Sequence, residues 1–331
     1  MNQGVGKDRM MPLGWAAALG NYELCEWLLD NKARVISTDK FKRAPLIMAV
    51  RNGHLKVATL LLQRGADWMQ PDSSSNTPLH FAAAYGWPEM IDLLIKTGAD
   101  INAENSWRAT PINIAMLKNH EGCVKKFLEY PGVDVNKKDD KGRTLLTLAL
   151  LDLTPRTFDF VKFLLNKGAD PNLVDTDGQG SLHYLANQDP HAIYDNWAYM
   201  HRLGNDEQKI KDEIQSRVKV QLQLADLLLA NNASRSVMDS KKRTPFALCL
   251  ERDNIELLNK LMESVSLNND PGILHSMASK ILNKKYQDIL HHLIQNDLPS
   301  EQTINVLDEE GFTPFLAYIK DFCTTYPTKR G

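Results

Sequence analysis

Apolar positions along this chain come in short paired bursts, and the pairs recur. In the stretch from Thr77 to Asn102, small and apolar residues (Leu79, Phe81, Ala82, Ala83) are followed by a glycine, Gly86. A second burst, Met90, Ile91, Leu93 and Leu94, comes next, and then Gly98-Ala99-Asp100. The spacing of the second burst puts its apolar side chains on one stripe of a helix. Thr77 is placed to cap the first helix, and Pro78 sits at its first position, where the missing N–H costs nothing and φ is already helical. Ala82 and Ala83 allow a close helix–helix approach, Gly86 permits a tight turn, and Gly98 suits the left-handed residue that ends the second helix. The pattern predicts an antiparallel helix pair followed by an outward turn.

That phrase is periodic. Pro12, Pro45, Pro78 and Pro111 stand 33 residues apart, opening Met-Pro-Leu-Gly, Ala-Pro-Leu-Ile, Thr-Pro-Leu-His and Thr-Pro-Ile-Asn, and Leu145 takes the same place 34 residues later. The second burst recurs at Leu60, Leu61 and Leu62, at Phe127 and Leu128, and at Phe163, Leu164 and Leu165, with Gly65, Gly132 and Gly168 after them. The extra residue near Pro131 falls at a helix end, where a loop absorbs it. Trp87-Pro88 departs from the Gly-His-Leu that commonly opens the second helix, but proline is tolerated in a first turn. A period of this length signals stacked repeats, and the phrase resembles the ankyrin repeat. The resemblance implies an all-α solenoid of helix-turn-helix repeats with β-hairpin fingers, about eight to nine in number.

The grammar loosens after residue 178. Ser181 to Ala186 opens a sixth repeat, yet its second helix, Leu224 to Leu229, arrives some thirty residues late. An insertion at about 188–220 separates them. It carries Trp197, Tyr199 and Met200 and then an alternating-charge run, Asp206 to Lys219, that suits an exposed helix. Thr244-Pro245 opens a seventh repeat, Ile273 to Ile294 reads as a diverged eighth, and Thr313-Pro314 starts a ninth. Two regions are expected: regular repeats over 1–180 and diverged repeats over 181–331. Thr324 to Gly331 reads as a cut rather than a polar cap, so a longer parent chain is expected.

Composition narrows the function by exclusion. Lys plus Arg number 39 against 41 Asp plus Glu, which lacks the basic footprint of direct nucleic-acid binding. No apolar run approaches the length of a membrane span or a secretory leader, so the expected location is cytoplasmic or nuclear and no membrane insertion is expected. Cys25, Cys123, Cys249 and Cys323 are scattered singly, without the spacing of a zinc site, and read as buried thiols. Gly4-Val5-Gly6-Lys7 lacks the strand and spacing of a phosphate loop, and Asp177-Gly178-Gln179-Gly180 lies where each repeat turns from finger to helix. The Asn232-Ala233-Ser234 sequon reads as accidental. His80, His183 and His275 share one repeat position, where the resemblance implies a structural hydrogen bond. His291 and His292 point to different faces of a helix. Asp39, Asp72, Asp139 and Asp175 begin successive fingers and are expected to stabilise turns. No catalytic residue, cofactor or metal is expected.

Ankyrin-like repeats bind proteins through a concave face and finger tips, and the resemblance assigns contact positions repeat by repeat. The second repeat supplies Lys40, Phe41, Arg43, Arg51 and Asn52. The third supplies Ser73, Ser74, Asn76, Ala84 and Tyr85, and the fourth Ser106, Trp107, Ala109, Leu117 and Lys118. The fifth supplies Asp140, Lys141 and Arg143. Phe41, Tyr85 and Trp107 are of types enriched in interface hot spots or bulky enough to anchor. Arg43, Arg51, Lys118 and Arg143 surround them with positive charge, which suits a protein partner with an acidic, apolar segment. The expected role is a non-catalytic scaffold or adaptor, of oligomeric state the sequence does not fix. The alternative is the recruiting arm of a larger enzyme whose catalytic domain follows Gly331. A loose similarity to the ankyrin arms of protist poly(ADP-ribose) polymerases favours that alternative.

Overall fold

The computed structural model describes residues 9–192, 206–262 and Thr313. The chain divides into two compact units, one formed by Met1–Ala149 with Asn166–Ala169, the other by Leu150–Leu165 with Asp170–Gly331. The expected eighth repeat, most of the ninth, the Gly4–Lys7 stretch, His275, His291, His292, Cys323 and the aromatic part of the insertion lie outside the described residues.

In the first unit the helices alternate between two layers. The first-helix layer contains α1 (Pro12–Leu19), α3 (Pro45–Arg51), α5 (Pro78–Tyr85), α7 (Pro111–Leu117) and α9 (Leu145–Ala149), each packed on the next. The second layer stacks α2 (Tyr22–Asp30), α4 (Leu55–Gln63), α6 (Pro88–Lys96) and α8 (Glu121–Phe127). Proline opens four of the five first helices. The core lies between the layers, with Leu13, Leu46, Leu79, Ile112 and Leu146 from one side and Leu28, Leu61, Leu94 and Phe127 from the other, all buried. Each such burial contributes roughly 1.5–3 kcal/mol. The alanines at the helix crossings, Ala16, Ala17, Ala49, Ala82, Ala83 and Ala115, are closed to solvent, which is why these helices can be so short and lie so close.

Successive repeats are bolted together by a ring that sits on a glycine. His54, Trp87 and His120, each 33 residues from the next, reach back to the carbonyls of Ala18, Arg51 and Ala84 at 3.0, 3.3 and 3.1 Å. The ring covers Gly20, Gly53 or Gly86, all at positive φ. A Cβ at Gly53 would come within 2.8 Å of the Trp87 ring. Trp87 thus fills the place of a histidine because its indole N–H can donate to the same carbonyl.

The first-helix starts are joined by a second device. In α5 the Thr77 N–H donates to His80 Nδ1 at 3.1 Å, and His80 Nε2 bonds the Ala109 carbonyl of the next repeat at 3.0 Å. Burial lowers the His80 pKa to about 4, with the Ala109 hydrogen bond and nearby Asp72 opposing. His80 is therefore a neutral structural strut, as its repeat position implied.

In the second unit α11 (Ser181–Asn187) repeats that device: His183 accepts from Gly180 N–H at 3.2 Å and bonds the Arg243 carbonyl at 2.9 Å. Burial lowers its pKa too. The Asp177 to Gly180 stretch is the turn expected from its place, with Asp177 and Gln179 N–H groups held by Asp175. This unit also contains α10 (Pro155–Asn166) up to Leu165, α12 (Glu207–Ala230), α13 (Pro245–Glu251) and α14 (Ile255–Met262). The insertion leaves after α11 and returns within α12, whose first half is the alternating-charge run. Gln221 is fully buried and marks the return. It donates to the carbonyls of Leu185 and Gln188 at 2.9 and 3.0 Å and accepts from Asn254 at 3.1 Å. This closes the gap that the insertion opens in the repeat.

Candidate protein-binding face

Each finger tip is a five-residue turn closed around one acidic or amide side chain. Asp39 Oδ1 accepts from the N–H groups of Phe41 and Arg43, both at 2.9 Å. Asp72 holds Ser74 and Asn76, Asn105 holds Trp107 and Ala109, and Asp139 holds Lys141 and Arg143 in the same way. The hairpins close without forming a β-strand among the described residues of the fingers. Neighbouring fingers share one backbone bond per step. Ser73 donates to the Phe41 carbonyl, Ser106 to that of Ser74 and Asp140 to that of Trp107, at 2.9–3.0 Å. The recurrent carboxylates thus shape loops.

First-helix residues facing these fingers are identified by their contacts in the second unit. Tyr184 bonds Asp175, Asn187 bonds Gln179, and Arg243 bonds Glu251. The equivalent places in the first unit hold Trp15, Phe81, Arg51, Ala84 and Leu117, and the adjoining place holds Leu19, Asn52, Tyr85 and Lys118.

Most of the residues the sequence nominates fall into two groups here, and Arg51 is half-buried against Tyr85. Some are engaged in building the finger or helix end. Arg43 and Arg143 fork onto Asp39 and Asp139, with Nη2 to Oδ2 distances of 2.6 and 2.8 Å. Asn76 bridges Asp72 and Asn105, Asn52 caps α3 through the Met48 carbonyl, and Ser74 is half-buried in the Asp72 turn. Others face solvent: Lys40, Phe41, Tyr85, Trp107, Lys118, Asp140 and Lys141. Phe41 and Tyr85 are each 41% exposed and Trp107 51% exposed, so Trp107 does not fold back onto its finger. Ala109, nominated from the repeat position, is buried.

The rings carry cations. Lys40 Nζ lies 4.8 Å and Arg43 Cζ 4.7 Å from the Phe41 ring centre. Arg51 Cζ lies 5.4 Å from that of Tyr85 and donates through Nε to the Tyr85 hydroxyl at 2.8 Å. Phe81 stacks on Tyr85 with centroids 6.5 Å apart. Trp15 (48% exposed) and Leu19 (72%) extend the apolar content of the same rows into the first repeat. Neither is among the nominated residues, although the Pro12 phrase puts Trp15 in register with Phe81.

The remaining chemistry is structural. Cys25, Cys123 and Cys249 are buried free thiols whose pKa values burial raises to about 11, 11 and 12. Among the described residues no cluster of His, Cys, Asp and Glu could hold a metal ion, and no helix is long and apolar enough to cross a membrane.

Comparison with known proteins agrees with this architecture. The family model described as ankyrin repeats (3 copies) matches residues 13–105, 79–175 and 112–193, more than half of the chain taken together. The poly [ADP-ribose] polymerase tankyrase of Caenorhabditis elegans is 29% identical over 246 residues, covering 63% of this chain. The match covers 10% of that relative's length. With its period, its helix pairs and its finger turns accounted for, the chain belongs to the ankyrin-repeat family.

Proposed function

We infer that the chain is a non-catalytic scaffold or adaptor that holds a protein partner against the face formed by its first helices and fingers. Ankyrin repeats are protein-interaction elements, and the observation that carries the assignment here is the exposed set Phe41, Tyr85 and Trp107, the first two with cations over their rings. Aromatic rings that solvent touches cost solubility, and rings paired with arginine are typical of interface anchors. The contact set comprises Lys40, Phe41, Arg51, Tyr85, Trp107, Lys118, Asp140 and Lys141. Arg43, Asn52, Ser74, Asn76 and Arg143 hold the geometry beside it. The partner presents an acidic, apolar segment, and binding weakens with salt.

The test is a quantitative pull-down comparing the intact chain with a Phe41→Ala, Tyr85→Ala, Trp107→Ala variant, after circular dichroism shows both folded. Loss of a specific co-purifying protein supports the assignment, and unchanged partner lists refute it. The similarity to a tankyrase favours one further reading, in which this region recruits substrates to a poly(ADP-ribose) polymerase. A transcript that continues past Gly331 into a catalytic domain would support that reading. A stop codon directly after Gly331 would count against it.

A further inference from the structure

The seventh repeat shows what its second-repeat counterpart lacks. Asp239, Arg243 and Glu251 stand at the places of Asp39, Arg43 and Arg51, since Pro245 and Pro45 open the two first helices. In the later repeat Arg243 forks onto Asp239 at 2.7 Å and reaches Glu251 through Nη1 at 2.8 Å. In the second repeat Asp39 and Arg43 keep their bond at the same geometry, but an arginine replaces the glutamate. An arginine, Arg51, thus stands at the repeat position where the later repeat has the carboxylate Glu251.

Arg51 is braced for such a carboxylate. Its Cζ lies 5.4 Å from the Tyr85 ring centre and its Nε donates to the Tyr85 hydroxyl. The pair of Nη groups is left as the donating edge that matches a carboxylate fork. No carboxylate among the described residues pairs with Arg51. Arg43 lies over the Phe41 ring in the same repeat. Asp39 offsets the Arg43 charge, and Lys40 over the same Phe41 ring adds its charge to that of Arg51.

The geometry points to a carboxylate-reading subsite, in which an Asp or Glu side chain of an extended partner segment takes the position that Glu251 holds against Arg243. Arg51 is its principal donor, and the flanking Phe41 and Tyr85 rings contact neighbouring apolar residues of the segment. This rests on the protein-binding reading above and gives it a specific chemistry. Arg143 has no part in it, because no second arginine stands at the corresponding place in its repeat, which is Leu151.

The experiment is selection of a phage-displayed library of random twelve-residue peptides on the full 331-residue chain. The affinities of the selected peptides are then measured on the intact chain, Arg51→Gln, Arg51→Glu and a Phe41→Ala, Trp107→Ala variant, each checked by thermal melting. The subsite predicts peptides with one fixed acidic position. Binding falls about ten- to a hundredfold with Arg51→Gln, and replacing the peptide's acid by its amide costs no more in that background. Arg51→Glu recreates the seventh-repeat arrangement, so it abolishes binding while its melting temperature does not fall below that of the intact chain. Peptides lost with Phe41→Ala, Trp107→Ala but without a fixed acid, or bound equally by Arg51→Glu, overturn the subsite and leave the protein-binding face standing. Peptides indifferent to every one of these substitutions, or no selected peptides, overturn both.

Discussion

A single atom decides the fate of Gly53. The residue sits at φ 76° beneath the Trp87 ring, so Gly53→Ala meets a left-handed strain of about 1–3 kcal/mol and a collision with an indole that cannot leave without dropping its bond to Arg51 O. Chemical denaturation should show a loss of at least that size, whereas Gly65→Ala, with nothing near its missing Cβ, should lose the strain alone. His80 gives a pH signature. Its folded pKa is about 4 against 6.5 when free, so below pH 6.5 the unfolded chain takes up a proton that the folded chain refuses. Stability from this residue is complete above about 6.5, declines as the pH falls to 4, and is then exhausted, a loss of about 3 kcal/mol at most. Melting temperatures across that window should fall more gently in His80→Gln, which starts less stable at neutral pH. Parallel curves would assign the dependence to other groups.

Much of this was legible residue by residue: the turn-forming aspartates follow from residue type and position, and the structural use of His80 and His183 from the resemblance to the ankyrin repeat. The role of Arg43 and Arg143 was not. Each lies four positions after its aspartate, a spacing that signals a pair in a helix, but here the pair closes a turn whose shape the sequence pattern does not report. Their charge was therefore assigned to a partner when an internal carboxylate already takes it up.

At the level of elements, α7 carries a defect that its neighbours explain. Asn113 stands where α5 and α11 have His80 and His183, and its shorter side chain leaves Asn113 Nδ2 and Thr110 Oγ1 buried without a protein partner. Asn113→His should let the ring bond the Arg143 carbonyl, as His80 bonds that of Ala109, and raise stability by about 1 kcal/mol. A decrease in the denaturation midpoint would show that the site is too small for the ring. The insertion is held in the opposite way, by a complete network. Gln221→Ala would strip two carbonyls and the Asn254 amide of their buried partner, costing about 2–4 kcal/mol. Faster amide exchange should appear in α11 and in α12 after residue 220, with α3 to α6 unchanged. The expected late second helix, Leu224 to Leu229, lies within α12. That the insertion returns inside one continuous 24-residue helix could not be read from the sequence, since helix periodicity alone does not show where a repeat begins within it.

For the molecule as a whole, a fixed period made the architecture readable and the face only partly so. The ankyrin resemblance nominated Phe41, Tyr85 and Trp107, which are exposed, as is Trp15 in the register of Phe81. Which polar residues along those rows keep an outward-facing charge depends on bonds between side chains, and those separate Arg51 and Lys118 from Arg43 and Arg143. The central claim, that this face holds the partner, is tested most directly by site-specific photo-crosslinking. Benzoylphenylalanine is placed in turn at Tyr85 and Trp107, and at Leu55 on the second-helix layer as the control. Discrete adducts from Tyr85 and Trp107, absent from Leu55, are the predicted result, and adducts that arise from Leu55 alone would contradict it.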